Sequence, residues 1–149
     1  MGQQITSNTQ LMFGAVDSAT ALEKGDLVML DTDDIKPASS EPWVTDEATT
    51  RTNYVAHHIG VAATRHAANS GDATGFPVNT DGTFSFDAVA DSYEIGDLVG
   101  PAKDSGNALL ATVLKKVTSA GEAVGYVIDK SGASATSIKV RVKQRKAAV

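Results

Sequence analysis

A chain of 149 residues with 42% hydrophobic content fits one domain, or two very small ones sharing a core. Aromatic residues are only 5%, so that core must be built mostly from Val, Leu, Ile and Ala. A net charge of -5 argues against a nucleic-acid binder by composition, and the absence of cysteine excludes disulfides and thiolate metal sites.

The N-terminus, Met1-Gly2-Gln3-Gln4-Ile5, has neither a basic region nor an apolar core, so it does not read as a secretory signal. Synthesis in the cytoplasm is expected. No apolar run approaches the roughly 18 residues of a membrane span. Residues 1–10 are polar and aperiodic and read as an extended arm, ordered only where a partner holds it. Leu11 to Val16 predicts a first strand and Asp17 to Thr20 a turn.

Asp26 to Leu30 is the best strand of the first half. Asp31-Thr32-Asp33-Asp34 turns the chain into a short antiparallel return, Ile35 to Ala38, which Pro37 keeps at an edge or a strand end. From Ser39 to Thr52 the pattern is lost, with one or two helical turns expected between Thr45 and Arg51. Tyr54 to Thr64 predicts a strand pair around Gly60, and Asn69 to Gly75 a flexible loop. Asn79-Thr80-Asp81-Gly82 carries the Asp-Gly hairpin signal, followed by the alternating Thr83-Phe84-Ser85-Phe86.

Further strands are expected at Val99 to Ala102, within Ala108 to Val117 and at Ala123 to Asp129. They are separated by turns at Lys103 to Asn107 and Ser119 to Glu122. After a hairpin loop at Ser131 to Ser134 comes the cleanest pattern in the chain, Ser137 to Lys143. There Ile138, Val140 and Val142 face one side and Lys139, Arg141 and Lys143 the other. Charge follows position. Residues 1–138 hold eight cations against all 18 acids, a balance of -10, and the last eleven hold five cations and no acid, or +5.

The chain repeats itself. Leu22-Glu23-Lys24-Gly25-Asp26-Leu27-Val28 returns as Tyr93-Glu94-Ile95-Gly96-Asp97-Leu98-Val99. Ile59-Gly60-Val61-Ala62 returns as Val124-Gly125-Tyr126-Val127. Gly25 to Gly96 is 71 positions, Gly60 to Gly125 is 65, and Phe84 aligned with Ile138 gives 54, so the first copy carries the longer insertions. Two copies are too few for a solenoid. The reading is a mainly β fold, a compact sandwich or barrel of two imperfect copies that close each other's edges. The arm occupies residues 1–10, one β domain spans 11–146 (copies about 11–90 and 91–143), and 147–149 form a tail.

Candidate sites are few. His57 and His58, as neighbours on a strand, point apart, and with His66 they match no zinc spacing. Asp31 to Asp34 lacks the later ligands of a calcium loop, since Ile35 and Lys36 stand there. Gly71 to Gly75 lacks the Lys and helix of a phosphate loop, and no Gly-x-Ser-x-Gly elbow occurs. Lys24-Gly25-Asp26 reads as turn chemistry, because its counterpart is Ile95-Gly96-Asp97. No catalytic, metal or cofactor residue is assigned, and the chain is not expected to be an enzyme. The basic strand reads either as a docking face for an acidic surface or phosphates, or as a solvated face that discourages edge pairing.

The two Gly-Asp-Leu-Val turns, each followed by an Ile/Val-Gly-Val/Tyr strand, and the final Ile138-Lys139-Val140-Arg141-Val142 strand resemble small β-rich bacteriophage head decoration proteins. The pattern covers roughly residues 20–143, and the insertion at 39–56 departs from it. The resemblance implies a cement role on the outer surface of the virion head. It further implies the major capsid protein as partner, a homo-trimer, and neither membrane nor direct nucleic-acid contact. Capsid-contact candidates are Gln3, Gln4 and Ile5 of the arm and Lys139, Arg141 and Lys143 of the basic strand. The competing expectation is a receptor- or carbohydrate-binding module of a phage fibre or surface protein, using Trp43 with Tyr54 as an aromatic platform.

Overall fold

A computed structural model describes residues 3–4 and 10–146. Among these residues the fold is mainly β, with ten strands in one sheet and one α-helix. The strands are β1 (Gln3–Gln4), β2 (Gln10–Val16), β3 (Leu27–Asp31), β4 (Asp34–Pro37), β5 (His58–Ala62) and β6 (Ala73–Asp91). They continue as β7 (Leu98–Lys103), β8 (Leu109–Lys116), β9 (Gly125–Val127) and β10 (Ala135–Lys143), and the helix α1 spans Glu47–His57.

Everything is arranged on β6, which runs unbroken for 19 residues. The sheet order β10-β9-β7-β8-β6-β2-β4-β3-β5 closes twice through this strand, because β6 also pairs with β10 and with β5. One closed circuit is β6-β2-β4-β3-β5 and the other β6-β8-β7-β9-β10. The pairing senses repeat as well. β2 meets β4 in parallel (Ala15 opposite Asp34), and the distal half of β6 meets β8 in parallel (Asp87 opposite Val113). The pairs β3–β4 and β7–β8, β3–β5 and β7–β9, and β5–β6 and β9–β10 are all antiparallel. The proximal half of β6 therefore stands in the first circuit where β10 stands in the second, and its distal half takes the place of β2. One strand serves both copies, which removes two free edges at once.

The register changes one sequence alignment. Met12 lies opposite Val78, and Phe84 lies opposite Val140. Phe84 is thus the counterpart of Met12, and Phe76, not Phe84, is the counterpart of Ile138. The Asp81-Gly82 hairpin does not form. Asp81 is paired on both sides, to Gln10 and Lys143, and Gly82 lies opposite Val142. Two ladders outweigh a local turn preference, and the β-branched Thr80 and Thr83 suit the extended path.

The Gly-Asp turns are superimposable in their bonding. Glu23 N–H donates to Asp26 Oδ2 at 2.9 Å, and Glu94 N–H donates to Asp97 Oδ2 at 2.8 Å. Gly25 and Gly96, at φ 96° and 93°, each donate their N–H to the partner strand, at Ala62 O (2.9 Å) and Val127 O (2.8 Å). The second shared motif has a steric cause. A Cβ on Gly60 would stand 2.1 Å from Asn79 O, and one on Gly125 would stand 2.0 Å from Arg141 O. Each glycine lets β5 or β9 press against its neighbouring strand.

Two apolar cores follow from two circuits. Val16, Leu22, Val28, Ile35, Ile59, Phe76 and Val78 fill the first. Phe84, Phe86, Val99, Leu114, Val127, Ile138 and Val140 lead the second, which also takes in Leu27, Met29 and Val61 from the outer side of β3 and β5. Fully burying a Phe or Leu contributes about 1.5–3 kcal/mol each.

The 39–56 insertion joins the copies. Helix α1 is longer than expected and extends to His57, so Tyr54 and Val55 are helical and β5 begins only at His58. Asp46 caps it by accepting from Thr49 N–H at 2.7 Å. Thr50, Arg51, Tyr54 and Val55, spaced three and four apart, form its buried side, and that burial overrides the strand preference of Tyr and Val. Arg51 is 3% exposed and reaches into the second copy. Its Nε donates to Pro101 O at 2.7 Å, Nη1 to Glu122 at 2.6 Å, and Nη2 bonds Glu47. Lys115 Nζ of β8 donates to the same Glu47 carboxylate at 2.9 Å.

Candidate functional site

The basic strand β10 is an interior strand, paired to β6 on one side and β9 on the other. Its cations therefore do not protect a sheet edge; they stand on the outer face of a closed circuit. Ile138, Val140 and Val142 point inward at 3%, 0% and 0% exposure. Outward, Lys139 Nζ lies 3.5 Å from Asp129 and Arg141 Nε donates to Asp81 at 2.9 Å. Both candidates face a carboxylate of their own chain, which dilutes their field. Lys143 is exposed, and beyond it Arg145 Nη1 donates to Ala120 O (3.0 Å) and Ala123 O (2.7 Å). Lys143 and Arg145 together border a hollow of about 120 Å³.

The arm candidates meet β6 as well. Gln3 and Gln4 pair with Ser85 and Phe84, so the chain's own β6 takes them as strand β1. Ile5 and the tail at 147–149 lie outside the described residues. Strands β1 and β10 meet β6 at the same two residues, Phe84 and Ser85, so Gln3 and Lys139 stand in one register across Ser85.

The three histidines are dispersed. His57 closes the helix, exposed, with Nδ1 3.4 Å from Glu41 Oε2. His66 is largely buried, with Nδ1 2.7 Å from Thr20 O and Nε2 2.9 Å from Gly71 O; it clamps the 67–72 turn, which is thereby a held turn. His58 is fully buried. Its Nδ1 lies 2.7 Å from the Tyr54 hydroxyl, which donates to Val28 O at 3.1 Å, and its Nε2 has no hydrogen-bond partner. Burial pushes the imidazole down from 6.5 to about 3, and the Arg145 charge pushes the same way. Among the described residues, no group of three or more His, Cys, Asp or Glu is placed to hold a metal ion.

The aromatic platform is not assembled. Tyr54 is 0% exposed and committed to the core, and half-buried Trp43 has Lys103 Nζ 5.8 Å from its ring centroid. The motif is misleading because Tyr54 sits on the inner side of a helix whose extent the sequence pattern conceals. Two exposed features were not singled out from sequence: Leu11 and Phe13 on β2, at 53% and 64% exposure, and Tyr126 on β9, at 39%. Leu11 and Phe13 alternate with Met12 and Gly14, a signal that the polar arm before them obscured.

No protein-family model matches the chain, and no curated protein matches it. Among solved structures, it is similar to the head fibre gp8.5 N base of bacteriophage phi29, at 11% identity and a TM-score of 0.41, covering 94% of this chain and 100% of that one. No described helix is long and apolar enough to cross a membrane.

Proposed function

We propose that this chain is a structural virion protein that binds the outer surface of a phage capsid, through the major capsid protein, and stabilises the shell against internal DNA pressure. The observation that carries the reading is the pair of Gly-Asp-Leu-Val closures. These residues bear the resemblance to head decoration proteins, and each locks a circuit of strands by the same bonds at Asp26 and Asp97. A sheet closed twice on one shared strand resists deformation and offers few edges for unwanted pairing, which suits a part under mechanical load. In this reading the protein is not an enzyme, needs no cofactor, contacts no nucleic acid directly and acts as a homo-trimer. Several weak contacts per assembly then add to firm attachment. Lys139 on the outer face of β10, with the arm at Gln3 to Ile5, supplies those contacts.

Density-gradient fractionation of phage lysate, probed with an antibody to the chain, tests this. Co-migration with DNA-filled heads supports it. Free protein at the top of the gradient, with none on particles, overturns it. Deleting residues 2–10 should then weaken capsid binding while leaving the circular dichroism of the domain intact.

A further inference from the structure

The duplication leaves one face unmatched. In the first copy the outer side of β3 and β5 is covered, with Leu27, Met29 and Val61 at 0%, 3% and 1% exposure inside the core that joins the copies. The register equates Leu27 with Leu98 and Val61 with Tyr126. At those places in the second copy Leu98 is only half-buried and Tyr126 is 39% exposed. Between them lies the 120 Å³ hollow, lined by Leu98, Val124 and Tyr126 with Lys143 and Arg145, and no acid lines it.

The opposite chemistry occurs on the first copy. Leu11 and Phe13 stand outward on β2, and the strand ends at a second hollow of about 250 Å³ lined by Ala15 and Val16 with Asp17, Asp34 and Asp72. No cation lines that one. The strands that carry the two faces, β2 and β9, do not pair, and at least two others separate them in the sheet.

We propose that these two faces join one copy of this chain to the next, head to tail. Phe13 and Leu11 of one molecule cover the Leu98–Tyr126 hollow of its neighbour, and the three aspartates meet Lys143 and Arg145. A contact of either face with itself would oppose like charges, so each face is complementary to the other kind. The pairing repeats between molecules what happens within one, where the outer side of a β3–β5 pair is covered by the adjoining copy. The contact concerns how copies meet and is measured on purified chain, so its failure would remove the homo-trimer but leave attachment to the shell, which the gradient tests, standing.

Analytical ultracentrifugation of the wild type, Phe13→Glu, Tyr126→Glu and an equimolar mixture of the two variants decides the matter. Both positions are exposed, and circular dichroism confirms that each variant folds. The wild type should associate with rising concentration, and each variant alone should associate about tenfold or more weakly. The mixture should form a one-to-one dimer and stop there, because one intact face of each kind remains. Lys143→Glu should weaken association of the otherwise wild-type chain, with the remaining contact less sensitive to salt. A wild type that stays monomeric at high concentration, or a mixture that does not pair, overturns the proposal.

Discussion

The two Gly-Asp turns share a backbone and differ in electrostatics. In each, the aspartate accepts the N–H of the residue three before it, and the glycine N–H reaches the adjoining strand. Yet Asp26 is 7% exposed, and burial raises its carboxyl above the ordinary value, against the opposing pull of the Glu23 N–H. Asp97 is more open. The Glu94 N–H lowers its carboxyl and Lys116, 3.2 Å away, lowers it further. The difference teaches how the duplication has diverged: backbone geometry was kept because closure needs it, and the surroundings of each turn changed with what covers it. The first turn lies against the rest of the chain and the second faces solvent.

The largest effect is expected where the copies are joined. Arg51→Ala removes a buried guanidinium, leaves Glu122 without its partner and Glu47 with Lys115 alone, so it should cost about 3–5 kcal/mol in denaturant unfolding. If the two circuits unfold together in the wild type, this variant should separate them into two transitions. A single transition at unchanged midpoint would show that α1 does not couple the copies.

The paired glycines come next. Gly60→Ala and Gly125→Ala both drive a methyl into a carbonyl oxygen, at 2.1 and 2.0 Å, and each should cost on the order of 3 kcal/mol. Gly60 also sits at φ 149°, which an L side chain rarely adopts, so its variant should be the less stable of the two. Equal thermal midpoints for the two variants would show that backbone relaxation, and not the φ requirement, sets the cost.

Those same glycines mark how much was legible in the sequence. Gly-Asp-Leu-Val and x-Gly-x announced the duplication because turn closure and close strand approach demand particular residues. The alternation in β10 was equally plain, because one side is buried and the other wet. What was hidden depends on contacts distant in sequence. Asp81-Gly82 reads as a hairpin until β2 and β10 are both laid against it. Tyr54-Val55 reads as a strand until the core beneath α1 is present. The circuits sharing β6 could not be seen, because the sequence alignment matched Phe84 with the wrong partner. Of the contact candidates, the outward direction of Lys139, Arg141 and Lys143 followed from the pattern; the carboxylates that face two of them did not.

His58 gives the first copy a pH dependence for which the second has no counterpart, since Ala123 holds the matching place before Val124-Gly125. Its imidazole is lowered from 6.5 to about 3 by burial, so the folded chain stays neutral where the unfolded chain takes up a proton. Stability should therefore fall as pH drops from about 6.5 toward 3, at roughly 1.4 kcal/mol per pH unit from this group. Above that window it contributes no slope. In His58→Leu the slope should flatten, as urea midpoints across the range will report, and a slope equal to the wild type's would assign it to other groups.

The smallest effect returns to the two turns. Asn keeps an oxygen for the backbone N–H and removes the charge. A lowered carboxyl, as at Asp97, contributes stability that is present above the unfolded value and lost as pH falls through the folded one. Asp97→Asn should thus cost on the order of 1 kcal/mol at neutral pH, the loss of a charge-assisted bond and of Lys116, and the cost should vanish in acid. A raised carboxyl, as at Asp26, contributes below the unfolded value and loses that contribution as pH rises. Asp26→Asn should therefore be neutral or slightly stabilising at pH 7, by relieving a buried charge. Thermal melts of both variants at neutral pH give the comparison directly. Opposite signs would mean that the copies diverged in charge while conserving closure; equal losses would mean that the backbone bond alone needs a carboxylate in both.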